Sequence, residues 1–182
     1  DYHLPTFGYD NMAAARTACL HLAACGHRRV AVLHGSTTDY DRARARIEGI
    51  KSGGRNLELK FVEADVSISG GSAGIAKLLK EDQRFDAVLC ITDVLAHGAI
   101  FALQRAGINV PDRVSVMGIH DLPGSGHIVP SLSTIRLPAQ EMGAIAAQAL
   151  VDWVETGDQP DSKLLPFELV ERDSVSKKAP RS

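Results

Sequence analysis

The chain has 182 residues, is 45% hydrophobic and 23% charged, and carries a formal net charge of -2. That composition suits a folded domain with room for a sizeable core, and its near-neutrality excludes a nucleic-acid surface of the usual strongly basic kind, so any DNA contact lies elsewhere. The longest apolar runs, such as Ala87–Ile91, are far too short to cross a bilayer, and no charged-then-apolar leader opens the chain.

The start at Asp1–Thr6 is abrupt, which suggests a piece of a longer protein, and Phe7-Gly8-Tyr9 reads as the end of a strand. Asp10 then caps a helix running to Cys25, with Ala14, Ala18, Leu22 and Cys25 along one stripe and Gly26 as its stop. His27-Arg28-Arg29 reads most simply as a solvated corner, followed by an apolar run of strand length at Arg29–Leu33. A helix over Asp41–Gly53 turns Ala43, Ile47 and Ile50 inward. Leu57–Glu63 is a strand, and Ser69–Lys80 a helix burying Ile75, Leu78 and Leu79. The run Gly70-Gly71-Ser72-Ala73-Gly74 has neither phosphate-loop spacing and reads as a flexible turn into that helix.

The stretch from Phe85 to Asp121 carries the most information. It predicts a strand (Asp86–Ile91), a polar elbow (Thr92-Asp93), a helix (Val94–Ala106), a turn, a strand (Val114–Met117) and a second polar elbow, Gly118-Ile119-His120-Asp121. Ser133–Arg136 is a short strand, and Pro138 opens a helix to about Glu155 with Met142, Ile145, Ala149 and Trp153 on one face. Leu164–Glu171 closes as a strand, and Ser174–Ser182 looks like a polar, lysine-rich tail.

Strands alternating with helices of this length mean βαβ units, and hence an α/β fold with a doubly wound parallel sheet. Small ligands bind such sheets beyond the carboxyl ends of the strands, where both polar elbows lie. Thr92 or Asp93 can simply cap the helix that follows, and either can face the cleft as well. No clear helix follows His120 and Asp121, so ligand contact is the stronger reading there. Arg42, Arg44 and Arg46 form a run that is ordinarily just solvated. Against that, their helix follows the strand-end loop Gly35–Thr38, and Arg46 offers a planar fork of donors for hydroxyls or a carboxylate.

Cys19, Cys25 and Cys90 are odd in number and lie in apolar contexts, as reduced thiols of a cytosolic protein do. The seven histidines have no metal-ligand spacing, so no metal and no other cofactor is expected. No nucleophile–base pairing is visible, which favours a binder over an enzyme.

The segments DNMAAARTACLHLAACGHRRVAVLHG (10–35), RARIEGI (44–50), FDAVLCITDVLAHGAIFAL (85–103), GINVPDRVSVMGIHD (107–121), SLSTIRLPAQEMGAIAA (131–147) and ELVERDS (168–174) come in an order and spacing similar to the effector-binding core of the lactose repressor (LacI/GalR) family. The resemblance runs from Phe7 to Asp173. It implies a two-lobed fold like that of periplasmic sugar-binding proteins, closing on a ligand between the lobes. Residues 27–134 with a closing strand in 164–175 would form the C-terminal, effector-binding lobe. Residues 1–26 and 135–163 would be segments of the N-terminal lobe, and 176–182 a tail. The remainder of that lobe and a helix-turn-helix headpiece would precede this chain.

By position, Arg46 resembles the family's cleft arginine, and Asp93 and Asp121 match its strand-end polar positions. Thr92 stands where many members have Asn, His120 where sugar-binding members commonly carry Asp, and Val66 where an aromatic often stacks on a sugar ring. A histidine that can donate or become cationic points away from a neutral sugar and toward a phosphorylated or carboxylated ligand. The resemblance also implies a homodimer, with His97, Ile100, Phe101 and the loop Gly124–Val129, including Ile128, facing the partner. Sheet packing is the alternative for Ile100 and Phe101. The implied partners are a small polar effector (a sugar, a sugar derivative or a nucleotide-like molecule) and operator DNA through the headpiece alone, with no membrane. A solute-binding transport receptor of the same fold, or a small α/β enzyme acting on a sugar or nucleotide, are the alternatives.

Overall fold

Short apolar strands and capped helices alternate along the chain in the computed structural model, which describes residues 4–38, 40–81 and 84–178. In chain order they are β1 (Phe7–Gly8), α1 (Asn11–Ala24), β2 (Arg29–His34), α2 (Asp41–Gly53), β3 (Glu58–Glu63), α3 (Ile68–Lys80) and β4 (Ala87–Cys90). Then come α4 (Asp93–Arg105), β5 (Ser115–His120), β6 (Ser133–Arg136), α5 (Ala139–Thr156), β7 (Lys163–Leu164) and β8 (Glu168–Val170). The main sheet has the order β3-β2-β4-β5-β6-β8, with every pairing parallel except β6 with β8. Residues 87–90 of β4 and 115–119 of β5 are buried without alternation, as strands covered on both faces must be.

Helix α1 begins where its sequence says it should, since Asp10 accepts the backbone N–H of Ala13 at 2.8 Å. Its Ala14, Ala15, Ala18, Cys19 and Leu22 are wholly buried in the core of the main sheet, against α2, β4, β5 and β6. The resemblance places this helix in a separate lobe, whereas its packing joins it to the main sheet. The small side chains of its inner stripe let it lie close. The strand that pairs away from the main sheet is β1, with β7 as its parallel neighbour. α5 contacts β1, and none of its residues is buried.

Three further segments differ from their sequence reading. The strand expected over Leu164–Glu171 is two strands in two sheets, because Pro166 between them has no N–H to give a ladder. The glycine run 70–74 lies inside α3 rather than in a turn. A Cβ on Gly71 would stand 2.2 Å from the carbonyl oxygen of Leu95, so the glycine is what lets α3 lie against α4. The start of the expected tail is tied down: the Ser176 N–H donates to Ser115 Oγ at 3.1 Å, His27 Nε2 bonds the Ser176 carbonyl at 3.2 Å, and the Lys178 N–H donates to the Cys25 carbonyl at 2.8 Å. Residues 179–182 of that tail lie outside the described residues.

Candidate functional site

The parallel strands β2, β4 and β5 all end at one edge of the sheet, so the loops after them share a rim. Helix α2 brings Arg46 to it, 4% exposed, on the inward face with Ala43, Ile47 and Ile50. A buried guanidinium must find acceptors, and this one has four. Nε donates to Asn11 Oδ1 at 3.0 Å and Nη1 to the Ile91 carbonyl at 2.5 Å. Nη2 donates to the Tyr9 hydroxyl at 2.9 Å and meets His120 Nε2 at 3.2 Å. One of its five N–H groups is left over. Tyr9 and Asn11 were not legible as site residues, although both flank the capping Asp10.

His120 faces this cation as an acceptor. Burial and then the neighbouring Arg46 charge lower its pKa to about 4, so the ring is neutral around pH 7 with Nε2 free of a proton. The cationic histidine considered from sequence is therefore replaced by a neutral one. The backbone here is unusual: φ is 141° at His120 and 58° at Asp121, both on the side that L-residues avoid. Such conformations persist only when the surroundings enforce them, and they gather at functional sites.

Enforcement at Asp121 comes from two arginines. Arg136 Nε and Arg172 Nη1 each approach one carboxylate oxygen at 2.7 Å, and Arg136 also donates to Glu168 at 2.7 Å. Burial alone would raise the Asp121 pKa, but the bonds from Arg172 and Arg136 outweigh it and hold it below the usual range. The carboxylate acts as a brace for the elbow.

Asp93 departs furthest from expectation. It has no exposed surface. Its Oδ1 accepts from Thr134 Oγ1 at 2.6 Å, and its Oδ2 from Ser125 Oγ at 2.8 Å and the Leu122 N–H at 2.9 Å. It sits against Gly118, where a Cβ would come within 2.3 Å of Oδ1. With three donors from the chain around it, the carboxylate clamps the β4 elbow to the β5 loop and does not face the cleft. Thr92, half-buried, caps α4 by accepting the Leu95 N–H at 3.4 Å. The two elbows do come together, through Asp93 and Leu122, but their acids serve the scaffold.

What remains open on this rim includes Arg42, the Thr92 hydroxyl and, along the same edge, the exposed carboxylates of Glu63 and Asp65. Arg42 lies one turn before Arg46, is exposed, makes no ion pair with any described residue, and stands near enough for its charge to depress both Arg46 and His120. Along the same edge a cavity of about 530 Å³ is lined by Gly35, Ser36, Tyr40, Glu63, Ala64, Asp65 and Val66, with Val66 54% exposed. Among the described residues no group of three His, Cys, Asp or Glu could hold a metal ion, and no helix is long and apolar enough to cross a membrane.

The residues expected to meet a partner subunit also divide. Ile100 is wholly buried within the core, so it packs the sheet and presents nothing outward. His97, Phe101 and Ile128 are half-buried, and His97 Nε2 lies 3.2 Å from Ser125 Oγ, the hydroxyl that Asp93 holds.

Residues 19–175 match the model of the periplasmic binding protein-like domain. The chain is 34% identical to the HTH-type transcriptional regulator GntR of Pseudomonas aeruginosa, over 92% of this chain and 50% of that protein. A sugar-binding LacI-family transcriptional regulator from Escherichia coli, solved with phosphate, superposes with a TM-score of 0.85 at 28% identity over 93% of this chain and 63% of that one. A LacI-family regulator from Enterococcus faecium, solved with bound ribose, gives 0.87 at 28% identity over 94% and 65%. The chain thus spans about half the length of the curated relatives it matches.

Proposed function

The chain belongs to the periplasmic binding protein-like family in the form that LacI-family transcriptional regulators carry, and from that premise we propose that it is the effector-sensing portion of a cytoplasmic DNA-binding regulator. Its effector is a small hydroxylated molecule bearing a carboxylate or phosphate. The observation that carries this reading is the Arg46–His120 contact at 3.2 Å, which joins α2 to the strained end of β5 at the carboxyl edge of the sheet. The histidine there is neutral, the nearby acids Asp93 and Asp121 are engaged internally, and Arg42 makes no ion pair with a described residue. An anionic group beside His120 meets the guanidiniums of Arg42 and Arg46, while the carboxylates of Asp93 and Asp121 are held by other groups. Thr92 and the remaining Arg46 N–H supply hydrogen bonds for hydroxyls.

In the intact regulator the effector would change how two copies present their DNA-binding segments. Effector and operator affinities are then linked reciprocally, by a coupling of typically ~1–3 kcal/mol. The half-buried His97, Phe101 and Ile128 are the side chains offered to a second copy. The test is a calorimetric panel of sugar acids and sugar phosphates beside their neutral parent sugars. Arg42→Ala should weaken the best anionic ligand at least ~10-fold, a loss of about 1.4 kcal/mol, and leave operator binding in the absence of effector unchanged. Equal binding of neutral and charged sugars, with no effect of Arg42→Ala, would remove the anionic effector from consideration.

A further inference from the structure

The opposite, amino-terminal edge of the main sheet holds a separate cavity of about 790 Å³, within the range of small-molecule sites. We propose that it binds a compact anion carrying closely spaced phosphate groups, on an inorganic or an organic skeleton. Five cations line it: Arg28 and Arg29 from the α1–β2 corner and the start of β2, Arg113 from the loop before β5, and Lys177 and Lys178 from the C-terminal segment. Two carboxylates accompany them, Asp86 and Asp112. A chain with a net charge of -2 therefore gathers an excess of positive charge in one concavity, from segments that lie far apart in sequence.

The acid best placed to neutralise that charge is committed elsewhere. Asp86 receives the backbone N–H groups of Arg28 and Arg29 at 3.1–3.3 Å and bonds the buried His27 ring at 3.3 Å. None of the side chains of Arg28, Arg29, Arg113 or Lys177 makes an ion pair with a described residue. The wall itself is built: Lys178 donates through its backbone N–H to the Cys25 carbonyl at 2.8 Å and through Nζ to the Asp112 carbonyl at 2.7 Å, strapping the C-terminal segment across the corner. Folding gains nothing from bringing unpaired like charges together, so their convergence points to an anion. Arginine forks suit phosphate oxygens bidentately. The lining has no aromatic side chain on which a nucleobase could stack.

Titration calorimetry of the protein with inorganic pyrophosphate, and separately with a hexose bisphosphate, tests the proposal. Saturable binding of either, weakened at least ~10-fold by Arg28→Ala with Arg113→Ala, supports it. The stronger of the two arms names the skeleton. Both substituted side chains are exposed, and unchanged thermal melting confirms that the double variant folds. No saturable binding, or binding that the double variant leaves intact, would overturn it. Equal affinity for single-stranded DNA with the same dependence on Arg28 and Arg113 would overturn it too, by marking a nucleic-acid surface.

Discussion

The two edges of the main sheet both carry arginine, and they use it in opposite ways. At the carboxyl edge Arg46 is enclosed, and Asn11, Ile91, Tyr9 and His120 surround its guanidinium. At the amino edge Arg28, Arg29 and Arg113 line an open cavity and form no ion pair with a described residue. Burial obliges a charge to find partners, whereas exposure lets it wait for one. The first edge therefore ties its arginine to the integrity of the fold, and the second leaves the fold indifferent to its cations.

The sharpest way to break that contrast is at Asp93. Replacing it by Ala strands the Thr134 and Ser125 hydroxyls and the Leu122 N–H in a buried place, each such loss costing ~1–3 kcal/mol. Asp93→Ala should lower stability by roughly 3 kcal/mol or more, read from urea denaturation. A change below ~1 kcal/mol would mean that the carboxyl edge is not held as described.

A smaller effect belongs to His120. Its folded pKa of about 4 lies below the ordinary 6.5, so the unfolded chain takes up the proton first as pH falls. The stability tied to the neutral ring is whole above about 6.5 and drains away as the pH drops toward about 4. The expected loss is on the order of 2–3 kcal/mol. His120→Gln keeps an acceptor for Arg46 but does not titrate, so its denaturation midpoint should decline less across that window. An identical decline in both proteins would mean that the acid sensitivity in that window does not come from His120. The smallest effect should come from the amino edge, where Arg28→Ala with Arg113→Ala changes stability by less than ~0.5 kcal/mol, since neither side chain holds an ion pair with a described residue.

Much of the fold was legible because its signals are local. Asp10 and Thr92 are capping residues that cap, and α2 and β6 have the limits that their patterns predict. Pro166 is an equally local signal, and it speaks against one continuous strand over Leu164–Glu171. The site was harder to read, because the direction of a side chain at a helix start depends on what the rest of the chain brings there. Asp93 turns inward because Gly118 leaves it room and because Thr134, on a strand reached only after a long excursion, completes its shell. The glycines of α3 misled for a similar reason: their low helix propensity is overridden by close contact with a helix that comes later in the chain. The cavity at the amino edge could not be read from His27-Arg28-Arg29 alone, since Arg113 and Lys177 reach it only through the fold.

Tyr9 follows immediately on β1, and its hydroxyl is one of the four groups that hold Arg46. That bond ties the β1–β7 ribbon, with α5 beside it, to the arginine at the carboxyl edge. An oxygen that displaced the phenol from that N–H would loosen this leash, with a single guanidinium as its latch.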